Sequence, residues 1–273
     1  MWNPHEPISK STEKALGLGA IFFVLIAWSI LTVLPGSEGA ASFPPGPSER
    51  LVSPGFLPAP WEVVGSLWRL TLSGDLVDAI LWSGSRVAIS IFFVVLVGVP
   101  TGVLMGSSPK VNAALSPLID PFRSAPLVAA LPILVMWFGI GETMKIAFLF
   151  LGAVVYLVPM VRDAIQAVPA DHITMSQDIG GTPFEIVWHT IVPLAKPRIA
   201  DAIIVSVGIT WTYITVAEYV NAKQGLGMII SNGRRLSASD QVFGGILTIL
   251  AIALLTDYVL RALKNKFYSW EIE

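Results

Sequence analysis

Residues 15–34, ALGLGAIFFVLIAWSILTVL, run for twenty positions without a charged side chain. At about 1.5 Å of rise per residue, a helix of that length crosses the ~30 Å of hydrocarbon in a bilayer. No water pairs with the backbone there, so a chain can enter lipid only as helices or as a closed barrel. The run exceeds the ~7–15 apolar residues of a secretory leader and reads as a retained span. Further apolar stretches follow at 79–106, 115–139, 146–161, 199–216 and 242–260. With 54% hydrophobic and 13% charged residues, and a mean hydropathy of +0.71, the chain has too little polar surface to clothe a water-soluble domain. The fold class expected is all-α: a polytopic membrane protein with about six transmembrane helices.

The connections carry their own signals. Residues 35–60 are rich in proline and glycine and read as a water-exposed loop. From Pro60, PWEVVGSLWRLTL spaces its apolar residues along one side, an amphipathic helix that Trp61 and Trp68 anchor at an interface. The stretch 115–139 contains Pro117, Pro121, Pro126 and Pro132. Such breaks survive at membrane depth only where protein or a cavity re-satisfies the backbone, so this segment is expected to face protein. Six spans put both termini on one side, and counting Lys and Arg gives ten on that side against six on the other. The termini are therefore expected in the cytoplasm. The domain reading is 1–14 cytoplasmic segment, 15–34 first transmembrane helix, 35–78 extracytoplasmic loop and amphipathic helix, 79–262 membrane core with a polar segment at 168–195, and 263–273 cytoplasmic tail.

Composition also excludes. A net charge of −2 with scattered cations argues against nucleic acid. Absence of cysteine removes disulfides and thiolate sites. His172 and His189 have no second ligand at metal spacing and read as surface or packing residues. No G-x-S-x-G or H-E-x-x-H pattern supports an intramembrane hydrolase. A non-transporting scaffold fits the spans but not the broken third one.

The polar segment between the fourth and fifth spans is patterned. Pro169 and Asp171 can start a helix that Gly180-Gly181 stops. Thr182, Pro183 and Glu185 form a capping box for a second helix. That helix carries Phe184, Ile186, Val187, Trp188 and Ile191 and is expected to end at Pro193 and Pro197. The local pattern allows an ordinary linker, or a stiff helix-turn-helix that docks a soluble partner.

At this segment the chain resembles the permease subunits of ABC importers, whose cytoplasmic motif is Glu-Ala-Ala, three residues, Gly, nine residues, Ile, one residue, Leu-Pro. Gly180 and Pro193 stand at that spacing, with Thr190 and Val192 in the Ile and Leu positions. Thr174, Met175 and Ser176 occupy the Glu-Ala-Ala positions, without the acidic residue. LPAPWEVVGSLWRL, SGSRVAISIFFVVLVGVPTGVLMG, FRSAPLVAALPILVMWFGIG and VAEYVNAKQGLGMII are similar, in order, to stretches of the nitrate, sulfonate, taurine and bicarbonate branch.

The resemblance implies a type I ABC importer permease fold in the bacterial inner membrane. It also implies two permease copies, two ATPase subunits and an extracytoplasmic substrate-binding protein, with no cofactor on this chain and ATP and Mg held by the ATPases; the solute expected to pass by alternating access is a small anion of the nitrate, bicarbonate, taurine or sulfonate class, the alternative being a neutral or heterocyclic vitamin-like solute. The chain has no G-x-x-x-x-G-K-[ST] loop of its own. Contact with the ATPase is expected at Thr174, Ser176, Gln177, Asp178, Gly180, Gly181, Thr182, Pro183, Phe184 and Glu185. If Gly181 is the left-handed residue of the turn, a β-branched replacement is expected to cost ~1 kcal/mol or more.

The solute route is expected along Arg86, Arg123, Pro132, Trp211, Thr212, Thr215, Glu218 and Tyr219, a polar and aromatic set in apolar surroundings. The alternatives are a Glu218 capped by solvent or paired with Lys223, and interface anchoring for Arg86 and Arg123.

Overall fold

The computed structural model describes residues 9–34, 50–221 and 223–269. Among them five helices are long and apolar enough to span a membrane, and a bent pair, Pro109–Arg123 with Leu127–Phe138, makes a sixth candidate with a 97° break. The all-α, six-span expectation matches this architecture. The chain forms two compact units, residues 1–76 with 229–246, and residues 77–228 with 247–273.

In the first unit, α1 (Lys10–Val33) opens on Ser9, whose hydroxyl accepts from the Thr12 N–H. Trp28 Nε1 donates to the Pro58 carbonyl at 2.9 Å. The helix α2 (Pro60–Leu72) starts on its proline, and Glu62 accepts from the Ala59 N–H at 2.7 Å and from Arg50 at 2.9 Å. Burial raises the Glu62 pKa, but the Arg50 hydrogen bond, the Ala59 amide and the Arg50 charge together outweigh it and hold the carboxyl below its ordinary value. Ser66 and Arg69 of α2 bond to Asp240, at 3.0 and 2.9 Å.

The second unit is built around α3 (Asp75–Ser107), α6 (Glu142–Gln166) and α9 (Val192–Tyr219). Between α3 and α6 come α4 (Pro109–Ile119), two 3-10 turns (Asp120–Arg123 and Leu127–Ala130) and α5 (Leu131–Phe138). After α6 come α7 (Ala170–Asp178), the single turn α8 (Pro183–Glu185) and a π turn (Ile186–Ile191) that leads into α9. The chain continues with α10 (Leu226–Arg235) and α11 (Ser239–Phe267). Val94, Leu157, Val161, Ile165, Ile186, Ile191 and Ile199 belong to one buried cluster. Gly98, Gly102 and Gly106 recur every fourth residue of α3. An added Cβ there would come within 2.9 Å of Leu157, 2.6 Å of Val161 and 2.6 Å of Ile165. Without a hydrophobic drive between helices in lipid, such close approach supplies the dispersion contact that holds α3 to α6.

The spans differ from expectation at their ends. The fourth covers Glu142–Gln166 and the last Ser239–Phe267, because capping and hydrogen bonding carry a helix beyond the apolar window. The helix begun at Thr182 does not end at Pro193 and Pro197 but continues to Tyr219 as one 37-residue element. Its π turn explains the passage: the Val192 N–H reaches back five residues to the Val187 carbonyl, so the ladder is already displaced where Pro193 offers no N–H. Pro197 is tolerated as prolines are in membrane helices whose neighbours cover the break, and it is buried.

Candidate functional site

The polar segment folds into a tight elbow. α7 follows Pro169, and Gly180 leaves it with φ +86°, its N–H bonding the Gln177 carbonyl at 2.8 Å. The Gly181 N–H then bonds the Ser176 carbonyl at 2.9 Å. Gly180, not Gly181, is the left-handed residue, and no atom crowds a Cβ there. Gly181 is restricted differently: its Cβ would lie 2.7 Å from the Ser176 carbonyl oxygen. The capping box is complete, with Glu185 Oε2 accepting from the Thr182 N–H at 2.9 Å and from its hydroxyl at 2.6 Å. Pro183 opens α8.

Ser176 and Thr190 join the two arms through their hydroxyls at 2.8 Å, closing the elbow between the second Ala and Ile positions of the importer motif. Thr174 turns its hydroxyl back onto the Ala170 carbonyl. The outer surface is apolar: Ile179 is 88% and Phe184 70% exposed, with Met175 and Trp188 also open. Gln177 and Asp178 are exposed beside them. The elbow encloses an open groove of about 480 Å³ lined by Ser176, Gly181, Glu185, His189 and Thr190 among others. An exposed apolar patch on a rigid, capped frame is suited to receiving another protein.

A second constellation lies at the opposite ends of the same helices. Arg86 of α3 donates from Nε and Nη2 to the two oxygens of Glu142, at 2.5 and 2.8 Å. Its Nη1 donates to Glu218 Oε1 at 2.6 Å and to the Gln224 carbonyl at 3.0 Å. Lys145 donates to Glu142 Oε1 at 3.2 Å. Glu218 also accepts from the Ser83 hydroxyl at 2.7 Å and the Gly227 N–H at 2.7 Å, and Ser83 accepts from the Leu226 N–H at 2.9 Å. Of the amides at the start of α10, that of Gly227 thus meets the carboxylate directly, as the helix dipole favours, and that of Leu226 meets the Ser83 hydroxyl.

Arg86 and Glu218 are buried, and two charges out of water are stable only when good hydrogen bonds accompany the pairing; here Arg86 donates four and Glu218 accepts three. Gly225 and Gly227 make the closeness possible, because a Cβ would fall 2.5 Å from Glu218 Oε1 at one and 2.4 Å from Glu218 Cβ at the other. Glu218 pairs with Arg86, and not with Lys223.

The expected strip of α9 divides. Trp211 and Glu218 are buried on one face, and Trp211 Nε1 finds no hydrogen-bond partner among the described residues. Thr212 and Tyr219 are exposed and Thr215 half-buried. At about 100° per residue, neighbours in sequence cannot share a face. Arg123 is exposed and its carbonyl accepts from the Tyr156 hydroxyl at 3.3 Å, while Pro132 is exposed in the first turn of α5. Sequence reasoning missed Glu142 and Lys145 of the cluster, and gave the two glycines only as part of a resembling stretch. The E-T-M-K spacing and the G-x-G were the available signals.

Residues 98–267 match the family model described as "Binding-protein-dependent transport system inner membrane component". The chain is 32% identical over 268 residues to the taurine transport system permease protein TauC of Escherichia coli, covering 96% of this chain and 92% of that protein. It is 31% identical to the putative aliphatic sulfonates transport permease protein SsuC of Bacillus subtilis, covering 81% and 80%. Its fold is similar to that of a chain in the inward-facing MetNI methionine ABC transporter, with TM-score 0.65 at 22% identity over 72% of this chain and 97% of that one. The family model over residues 98–267, the likeness to TauC along nearly the whole chain and an elbow with the importer glycine and proline spacing agree: the chain belongs to the inner-membrane permease family of binding-protein-dependent ABC importers.

Proposed function

We propose that this chain is the permease subunit of an ATP-driven importer for a small sulfonate-bearing solute of the taurine and alkanesulfonate class. The observation that carries the solute class is the likeness to TauC along nearly the whole chain. In this reading both termini are cytoplasmic, two copies of the chain pair, and each elbow docks one ATPase subunit that holds ATP and Mg. An extracytoplasmic binding protein delivers the solute.

ATP closes the ATPase dimer because it binds that state more tightly, and the two elbows move with it. Ile179 and Phe184 provide the docking surface, while the Ser176–Thr190 bond and the Thr182–Glu185 cap keep the elbow from bending. α9 runs without a stop from the elbow to Glu218, so a displacement at Phe184 reaches the far end of the span. The exposed Arg123, Pro132, Thr212 and Tyr219 and the half-buried Thr215 are the residues assigned to the route; Arg86 and Glu218 act at its outer end through the buried cluster.

The test is to co-purify the permease with the P-loop ATPase it assembles with, reconstitute both, and measure hydrolysis stimulated by binding proteins loaded with taurine, an alkanesulfonate, nitrate or a neutral amino acid. Stimulation by a loaded sulfonate binder supports the assignment, and stimulation by the neutral amino acid binder alone overturns the solute class.

A further inference from the structure

Glu142 is the one member of the ion cluster open to solvent. Arg86 and Lys145 are 1% and 2% exposed and Glu218 is fully buried, whereas the Glu142 side chain keeps 47% of its surface. The two carboxylates are also held differently. Glu218 is fixed by Arg86, Ser83 and the Gly227 amide, with Gly225 and Gly227 packed against it. Glu142 is bonded by two cations, Arg86 and Lys145. It is the first residue of α6, directly after Gly139-Ile140-Gly141. Gly139 has φ +71°, and a Cβ on Gly139 or Gly141 would meet nothing within 4 Å, so there is open space beside the turn that leads into Glu142.

With Glu142 in place the cluster holds two cations and two anions and is neutral. With Glu142 turned out, it holds two buried cations and one anion, and an uncompensated buried charge demands a replacement. The replacement must be a monoanion with at least two oxygens, since the Arg86 Nε/Nη2 edge is a fork that binds such groups through parallel hydrogen bonds.

We propose that Glu142 is a displaceable internal anion, and that the Arg86 fork with the Lys145 ammonium is a binding subsite for the sulfonate head group of the solute. Only the solute's identity rests on the proposed function; the subsite rests on the cluster.

The experiment uses the purified permease–ATPase complex and methanesulfonate as the probe, against chloride at matched ionic strength. Binding to the folded state raises the unfolding midpoint with probe concentration. An internal competitor weakens apparent affinity by the fraction of time it leaves the site open. Glu142→Gln is therefore expected to respond at concentrations about tenfold or more below wild type, and Glu142→Gln with Lys145→Met to lose that gain. Equal half-saturation in wild type and Glu142→Gln overturns the proposal, as does a gain that survives Lys145→Met.

Should Glu142→Gln fail to assemble, Glu142→Asp keeps the charge with a shorter reach. Its half-saturation is expected below wild type, and a wild-type value overturns the proposal. A complex that imports a neutral solute yet shows the Glu142-dependent response refutes the cargo class alone; sulfonate import with no such response refutes the subsite alone.

Discussion

Gly180 and Gly181 adjoin, and each is required for a different reason. Gly180 has open space but φ +86°, so a side chain there costs the left-handed penalty of about 1–2 kcal/mol. Gly181 has an ordinary backbone and no space beside the Ser176 carbonyl, so Gly181→Val must shift the turn and misaim α8. Binding-protein-stimulated ATP hydrolysis is expected to fall about fivefold or more in Gly181→Val and in Phe184→Asp, with unchanged amounts of permease in the membrane. Normal stimulation in both would refute the docking surface.

Arg86 sets a larger stake. Arg86→Met leaves Glu218 charged and unpaired in the interior and is expected to destabilise the solubilised protein by about 3–5 kcal/mol, measured by chemical denaturation. Arg86→Met with Glu218→Met removes both charges, and recovery of much of that loss is the expected sign of a true pair. Glu62 gives a pH signature. Its folded pKa lies below the unfolded value, so its contribution is full above the ordinary carboxylate range and is lost as pH falls through the folded value. Arg50→Ala should flatten that part of the acid limb; an unchanged limb would refute the assignment.

At the scale of elements, α3 and α6 are joined by absence of side chain. Gly102→Leu would drive a Cβ to 2.6 Å from Val161 and 2.8 Å from the Val158 carbonyl. Backbone on one side cannot yield, so the helices must separate, at an expected cost of about 1–3 kcal/mol or more. A thermal midpoint like wild type for the Gly102→Leu complex would show that the helices are not held this way.

The glycine spacing was visible in the sequence, where it read simply as part of an apolar span. The capping box at Thr182 was equally visible and formed as read, because a cap is a local bargain among four residues. Pro193 misled for the complementary reason. Proline breaks an α pattern, but the π turn ahead of it is fixed by Ile186 and Ile191 packing into the core, which no local rule contains.

For the whole molecule, orientation is testable because the chain has no cysteine. Single cysteines at Phe184 and at Ser53 are expected to react with an impermeant maleimide from opposite sides, Phe184→Cys in inside-out vesicles and Ser53→Cys in intact cells. Labelling of Phe184→Cys from outside would reverse the topology and remove the elbow from any ATPase.

From the sequence alone it follows that the chain is helical and membrane-embedded, which apolar stretches hold its spans, though not where the fourth, fifth and last of them end, and where the elbow turns. These follow from hydrocarbon thickness, backbone satisfaction and local capping, each confined to one segment. It took the tertiary structure to show that Arg86, Glu142, Lys145 and Glu218, drawn from three helices, meet in one place, and which face of α9 is buried. Such pairings depend on how helices turn about their axes against one another. That rotation is set by contacts between residues far apart along the chain, as between Ser83 and Glu218, 135 positions apart.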